Sequence, residues 1–151
     1  MTHPHPSDAG FADAYSEAWT SEQIKLLDFF APDGTYTDVP MDATYAGRKE
    51  IARFHRWMLK FAPDSVITFS DACAADARLY LRWIWSGTFG GALRLPDGSS
   101  VQSTGANFSI PGVAACRSDA NGELLSHCDY WDLNTLLSRI GAARQKPHLP
   151  A

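Results

Sequence analysis

The spacing of apolar residues in this sequence changes at Pro63, and this change limits the folds that the chain can adopt. Before this proline, apolar residues recur at helical spacing: Phe11, Tyr15 and Trp19 follow one another at four-residue intervals and share one helix face. After it, apolar and polar residues alternate, which is typical of strands with one buried face. Helices in one half of the chain and strands in the other indicate an α+β fold with a largely antiparallel sheet.

The order of these elements suggests how a cavity forms. We expect two helices before residue 31, a turn at 32–34, a short strand at 35–39, a helix at about 48–61, strands near 65–73, 78–89, 100–116 and 123–131, and a last helix at 133–140. Asp132 is placed to cap that last helix. A sheet of long strands bent around three helices leaves a conical hollow suited to a ligand.

Composition favours one compact domain. The 151 residues are 45% hydrophobic, so we expect a single domain over 1–151, with tails at about 1–7 and 142–151. A net charge of −4 predicts no binding to nucleic acid or to a membrane. Three cysteines without paired spacing favour a reducing, cytoplasmic location. Metal-ligand spacings such as C-x-x-C do not occur in the sequence, so we predict no metal site.

Five segments resemble known protein families. The nuclear transport factor 2-like superfamily is similar at 30–40 (FAPDGTYTDVP) and 47–54 (GRKEIARF). The SnoaL-like polyketide cyclases of that superfamily are similar at 85–91 (WSGTFGG), 121–132 (NGELLSHCDYWD) and 136–141 (LLSRIG). The resemblance implies a cone-shaped α+β barrel, in which a curved mixed or antiparallel sheet wraps around three helices and a short C-terminal helix follows.

The same resemblance implies an activity. The chain is expected to act without a cofactor on a small hydrophobic carbonyl compound, polyketide- or steroid-like, by intramolecular aldol-type cyclisation or isomerisation. Such chemistry needs a general acid/base in an apolar cavity. Relatives commonly dimerise through the sheet, and the outward face of the second long strand carries Tyr80, Arg82 and Ile84, so we expect a homodimer.

Asp129 is the first candidate for the acid/base. On a strand it shares one face with His127 and Trp131, and an apolar cavity suits a carboxyl group to proton transfer. The resemblance agrees, because the Asp of this motif is the proposed acid/base of SnoaL-like cyclases. His127 would orient Asp129 or balance its charge. The alternative is a structural carboxylate that accepts hydrogen bonds from the backbone or from His127.

Asp38 and Tyr15 form a second candidate pair. Residues 30–54 also resemble ketosteroid isomerases, in which the Asp matching Asp38 shuttles the proton and a Tyr near the position of Tyr15 binds the oxyanion. A base beside a phenol donor stabilises an enolate. The second oxyanion acid of those enzymes falls near Val113 or Ala114 here and is missing.

The remaining candidates are expected to bind the substrate. Aromatic walls suit a planar apolar ligand, although plain core packing is the competing interpretation. These candidates are Trp19, Tyr36, His55, Met58, Trp83, Trp85, Asn107 and Trp131.

Two other functions stay open. The first is an epoxide or other ring-opening hydrolase like limonene-epoxide hydrolase; its Arg-x-Asp pair is absent where this chain reads Arg82-Trp83-Ile84. The second is a module that binds a small molecule, or dimerises, without catalysis.

Overall fold

The computed structural model describes residues 3–21 and 23–142. The order of elements is α1 (Phe11–Ser21), α2 (Gln23–Asp28), β1 (Phe30–Asp38), β2 (Ala43–Ala46), α3 (Gly47–Phe61), β3 (Val66–Ala75), β4 (Arg78–Thr88), β5 (Leu93–Arg94), β6 (Ser100–Val101), β7 (Asn107–Ser118), β8 (Leu124–Trp131) and α4 (Leu133–Arg139). The predicted α+β barrel with a curved sheet is confirmed. None of the described helices is long and apolar enough to cross a membrane.

Six strands form one sheet in the order β2-β1-β8-β7-β4-β3, and β5 pairs with β6 in a separate hairpin. The long strands pair antiparallel, but β1 runs parallel to β8, so the sheet is mixed. The sequence does not reveal this pairing, because about 90 residues separate the partners. The parallel pairing of β1 with β8 places Asp38 directly opposite Asp129.

The segment at 32–34, expected to be a turn, lies inside β1 as an irregularity of the strand. The register between β1 and β8 shifts between Phe30 and Thr35. A Cβ atom at Gly34 would lie 2.7 Å from the carbonyl oxygen of Leu124, so only glycine allows the two backbones to approach this closely. The irregularity carries the chain from α2 into the sheet without a separate loop.

Alternation along β4 separates the two faces of the sheet. Leu79, Leu81, Trp83 and Trp85 are buried on the concave side, where α1 and α3 pack, whereas Tyr80 and Ile84 are exposed on the convex side. Burial therefore follows the alternation of apolar and polar residues that the sequence shows. The core lies between the concave face and the helices.

The last helix begins as the sequence predicts, and the N-terminal segment packs more closely than expected. The predicted cap of α4 is present: Asp132 Oδ1 accepts a hydrogen bond from the Asn134 amide at 3.0 Å. The His3 ring stacks on Phe29 with centroids 4.6 Å apart, so the segment expected to be an N-terminal tail packs against the core from residue 3. Residues 1–2 and most of the predicted C-terminal tail, 143–151, lie outside the described residues.

Candidate active site

A pocket opens on the concave side of the sheet, between β1, β4, β8 and α3. Its walls are almost entirely apolar, and all five tryptophans of the sequence line it together with two carboxylates. The lining residues are Trp19, Tyr36, Asp38, Met41, Phe54, Trp57, Met58, Ile67, Phe69, Trp83, Trp85, Leu93, Asp129, Trp131 and Leu136. The centres of water-sized molecules can occupy about 40 Å³ of it, which is space for roughly three waters.

Asp129 accepts three hydrogen bonds from side chains. Trp83 Nε1 donates to Oδ1 at 3.0 Å, and Tyr36 Oη donates to Oδ2 at 2.5 Å. The third partner is His127 Nε2, 2.6 Å from Oδ1. The donors come from β1, β4 and β8, so the fold itself surrounds this carboxyl group with hydrogen-bond donors. Such surroundings favour a carboxylate held in one position.

His127 lies fully buried behind Asp129. Burial alone would lower the pKa of this imidazole, but the Asp129 carboxylate outweighs that effect and raises the pKa well above its usual value. The protonated ring donates through Nε2 to Asp129 and through Nδ1 to the Tyr15 hydroxyl, 2.7 Å away. His127 and Asp129 therefore form a buried ion pair.

The two tyrosines of this network stay protonated. Burial raises the pKa of Tyr15. Burial also raises the pKa of Tyr36 well above its usual value, and the nearby Asp129 and Asp38 raise it further. Tyr36 is therefore a phenol donor to Asp129 rather than a base.

Asp38 has different surroundings. It is 4% exposed, lines the same pocket, and Trp131 Nε1 donates to its Oδ1 at 2.8 Å. Burial, together with the charge of Asp129, raises the pKa of Asp38 from 3.8 to about 7. No Lys or Arg among the described residues forms an ion pair with it. Two carboxyl groups on neighbouring strands are thus held in different states, one ion-paired and one able to titrate near neutral pH.

The sequence profile of the SnoaL-like domain matches residues 12–127, most of the chain. The chain belongs to the SnoaL-like family. No curated protein matches the sequence.

Solved structures share this SnoaL-like fold. A hypothetical protein of Catenulispora acidiphila DSM 44928 with a ketosteroid isomerase-like fold, solved in complex with trimethylamine, is 25% identical, with a TM-score of 0.71 over 85% of this chain and 90% of that one. TsrD of Streptomyces laurentii is 20% identical, with a TM-score of 0.72 over 86% and 91%. A protein of Jannaschia sp. CCS1, provisionally named a SnoaL-like polyketide cyclase, is 13% identical, with a TM-score of 0.71 over 86% and 88%.

The structure brings most of the predicted site residues of this SnoaL-like chain to one pocket. Those that line it are Trp19, Tyr36, Asp38, Met58, Trp83, Trp85, Asp129 and Trp131. Tyr15 and His127 do not line the pocket; they lie behind Asp129 and reach it through hydrogen bonds. The predicted constellation is therefore assembled, with its members in two layers.

Two predicted binding residues lie elsewhere. His55 is buried on the side of α3 that packs against α1, where its Nε2 lies 2.7 Å from the Trp19 carbonyl oxygen. Burial lowers its pKa, so the neutral ring serves as a core histidine. Asn107 is exposed at the start of β7 and accepts a hydrogen bond from Thr88. Its neighbour Phe108 points inward, so alternation along the strand turns Asn107 outward.

Seven lining residues were not predicted: Met41, Phe54, Trp57, Ile67, Phe69, Leu93 and Leu136. Phe54 was recognisable, because it precedes Met58 by one helical turn and shares its face. Leu93 belongs to the separate hairpin, whose position over the pocket follows from no local pattern. A wider outer cavity of about 240 Å³ adjoins the pocket, shares Asp38, and adds Tyr45 and Arg94.

A glycine makes room for one donor to Asp129. A Cβ atom at Gly112 would lie 2.1 Å from ring carbon Cζ2 of Trp83. The indole of Trp83 therefore lies flat against the backbone of β7, and in this position its Nε1 reaches Asp129. Among the residues that the structure describes, no group of three or more His, Cys, Asp or Glu could hold a metal ion.

Proposed function

We propose that this SnoaL-like protein is a cofactor-independent acid/base enzyme that moves a proton on a small hydrophobic carbonyl compound, in an aldol-type cyclisation or an isomerisation. The observation that carries the proposal is the pair of carboxyl groups, Asp38 and Asp129, which lie opposite each other on parallel strands and line one apolar pocket. Carboxyl groups with different surroundings supply the two functions that proton transfer needs, a group that titrates and a fixed charge beside it.

Asp38 is the proposed base. A general base works best when its pKa lies near the working pH, and burial beside Asp129 brings the pKa of Asp38 to about 7. Its ionised oxygen would take a proton from the carbon next to the substrate carbonyl and return it at another atom. Asp129 was the first candidate on sequence grounds, but its three hydrogen bonds and its ion pair with His127 favour a fixed anion.

The other polar groups would hold the base and the substrate. Trp131 fixes the carboxyl group of Asp38 through one hydrogen bond. Trp19 would contact the substrate through its ring, because it lines the pocket while its indole nitrogen is buried and not accessible from the pocket.

The proposal is tested by following deuterium exchange at the α-carbon of cyclopentanone in D₂O by proton NMR. We expect exchange that increases with pH through about 7, because only the ionised fraction of Asp38 acts as a base. Asp38→Asn is expected to slow it by at least about 100-fold. Equal exchange by wild type and Asp38→Asn, with both folded, contradicts the assignment.

The hydrolase alternative is less well supported. Arg82, on the strand where a limonene-epoxide-hydrolase-like enzyme would carry its Arg-x-Asp pair, is exposed on the convex face and lies 3.4 Å from Asp71. It does not line the pocket, and none of the described lining residues is an arginine that could position a water beside Asp129.

We also infer that two copies pair through the convex face of the sheet. This face carries large exposed apolar residues from neighbouring strands: Val66, Tyr80, Ile84, Val113 and Tyr130. Register places Val113 opposite both Arg82 and Tyr130, so the residues form a continuous patch rather than scattered contacts. Aromatic and aliphatic residues beside an arginine are typical of protein interfaces.

A further inference from the structure

We propose that the pocket takes a substrate bearing a compact organic cation, a tertiary or quaternary ammonium group held by tryptophan faces and the carboxylate of Asp38. The ammonium group would be one part of the carbonyl compound of the proposed function, and Asp38, which lines both the inner pocket and the outer cavity, would face both parts. The inference rests on the proposed function only in taking this pocket as the place where substrate binds.

The aromatic lining is the first argument. All five tryptophans of the chain line this pocket. The indole nitrogens of Trp83, Trp131 and Trp85 donate to Asp129, Asp38 and Ser65, so the hydrogen-bond donors of these rings are already used. Tryptophan is the side chain that attracts organic cations most strongly, and several together form the aromatic cages that bind quaternary ammonium groups.

Charge is the second argument. Among the described residues that line the pocket there are two carboxyl groups and no Lys, Arg or His. His127, behind the wall, compensates Asp129, and no residue in the described part of the chain forms an ion pair with Asp38. The outer cavity does have a basic residue, Arg94, but its side chain is exposed. A buried carboxylate in an apolar wall is poorly solvated, and a bound cation would supply the missing partner.

Size is the third argument. The pocket has space for roughly three waters, enough for a compact head group and too little for a fused ring system. The adjoining outer cavity of about 240 Å³ leaves space for the remainder of a small molecule. An ammonium group carrying methyl substituents matches the shape, the apolar surface and the charge of the inner pocket.

Proton linkage gives the inference a specific signature. A cation beside Asp38 favours its ionised form, so affinity for a cation should rise as pH passes through about 7, where Asp38 titrates. The groups facing Asp38 are Asp129 on β8, Tyr36 on its own strand and Tyr45 on β2. Both tyrosines have raised pKa values and remain neutral in this range. The basic side chains near the mouth are Arg94, which lines the outer cavity, and Arg53, which lies over the Tyr45 ring.

The test compares two probes of the same shape by calorimetric titration of the whole chain, choline and its neutral isostere 3,3-dimethylbutan-1-ol. At pH 8 we expect choline to bind at least ten-fold more tightly than the neutral alcohol. At pH 6 we expect the affinity for choline to be lower than at pH 8. A change in tryptophan fluorescence on adding choline checks that binding occurs in the pocket, because every tryptophan lines it. Equal or tighter binding of the neutral alcohol, or no binding of choline at millimolar concentration, overturns the inference.

Two variants add independent readouts. Trp57→Leu keeps an apolar wall but removes one π face, and should weaken choline binding by roughly two- to thirty-fold with little effect on the alcohol. Asp38→Asn should abolish the pH dependence of choline affinity; unchanged pH dependence in this variant contradicts the inference. Failure of this proposal is distinct from failure of the proposed function, because proton exchange on cyclopentanone is measured without any cation.

Discussion

Asp38 and Asp129 lie opposite one another on parallel neighbouring strands, and both carboxyl groups line one apolar pocket. Among the described residues, Asp38 has one side-chain donor, an indole, whereas Asp129 accepts from an indole, a phenol and an imidazole. Burial, together with the charge of Asp129 beside it, raises the pKa of Asp38 to about 7.

The titration of Asp38 should make the free energy of unfolding depend on pH. A carboxyl group whose pKa is raised in the folded state destabilises the fold as pH rises above 3.8, the pKa of the group in the unfolded chain. The destabilisation reaches its full size once pH exceeds the folded-state pKa of about 7. Asp38→Asn removes it while leaving an acceptor for Trp131. We expect the variant to be more stable than wild type by up to a few kcal/mol at pH 8 and equal to it near pH 4, measured by thermal unfolding. A variant less stable at pH 8 would contradict this.

The same substitution at Asp129 should have the opposite effect. Asp129→Asn leaves the buried His127 cation without its partner, and breaking a buried ion pair lowers the free energy of unfolding by about 3–5 kcal/mol. We expect Tm at pH 7 to fall by several degrees or more. Asp132→Asn is the matched control, because asparagine caps a helix as well as aspartate does, and it should leave Tm nearly unchanged. An Asp129 variant as stable as this control would count against a fixed anion.

How far the sequence predicts this site depends on which neighbours a residue has. Alternation along one strand correctly placed His127, Asp129 and Trp131 on one face, since period two is a local property. The roles of the carboxyl groups were not predictable, because the parallel pairing of β1 with β8 is non-local. His55 was misplaced for a related reason: a helical face is readable, but whether it meets the pocket or α1 depends on packing.

Gly112 should prove essential to the site although it carries no side chain. In Gly112→Ala the new methyl group would overlap the Trp83 ring, which must move away from Asp129. We expect a loss of about 1–3 kcal/mol of stability, together with a change in tryptophan fluorescence. Gly10→Ala is the control, because no atom lies within 4 Å of its Cβ position. If both variants behave alike, the close packing of Trp83 on β7 does not hold the site.

Assembly can be tested on the convex face of the sheet. We expect a homodimer at micromolar concentration by light scattering, and a monomer when Ile84→Glu introduces a charge into the exposed apolar patch. Ile24→Glu changes an equally apolar and even more exposed residue on α2, so it should leave the dimer intact. A wild-type monomer at this concentration, or dissociation caused equally by both variants, would exclude pairing through this face.

The most direct measurement is the titration of the Asp38 carboxyl carbon by ¹³C NMR, in protein labelled at its aspartate side chains and assigned with Asp38→Asn. We expect a midpoint near pH 7, caused by burial and by the negative charge of Asp129. We also expect the midpoint to fall in Asp129→Asn, because that neighbouring charge is gone. A midpoint near pH 4 in the wild-type protein would contradict the account, since Asp38 would then be no better suited to proton transfer than an exposed carboxylate.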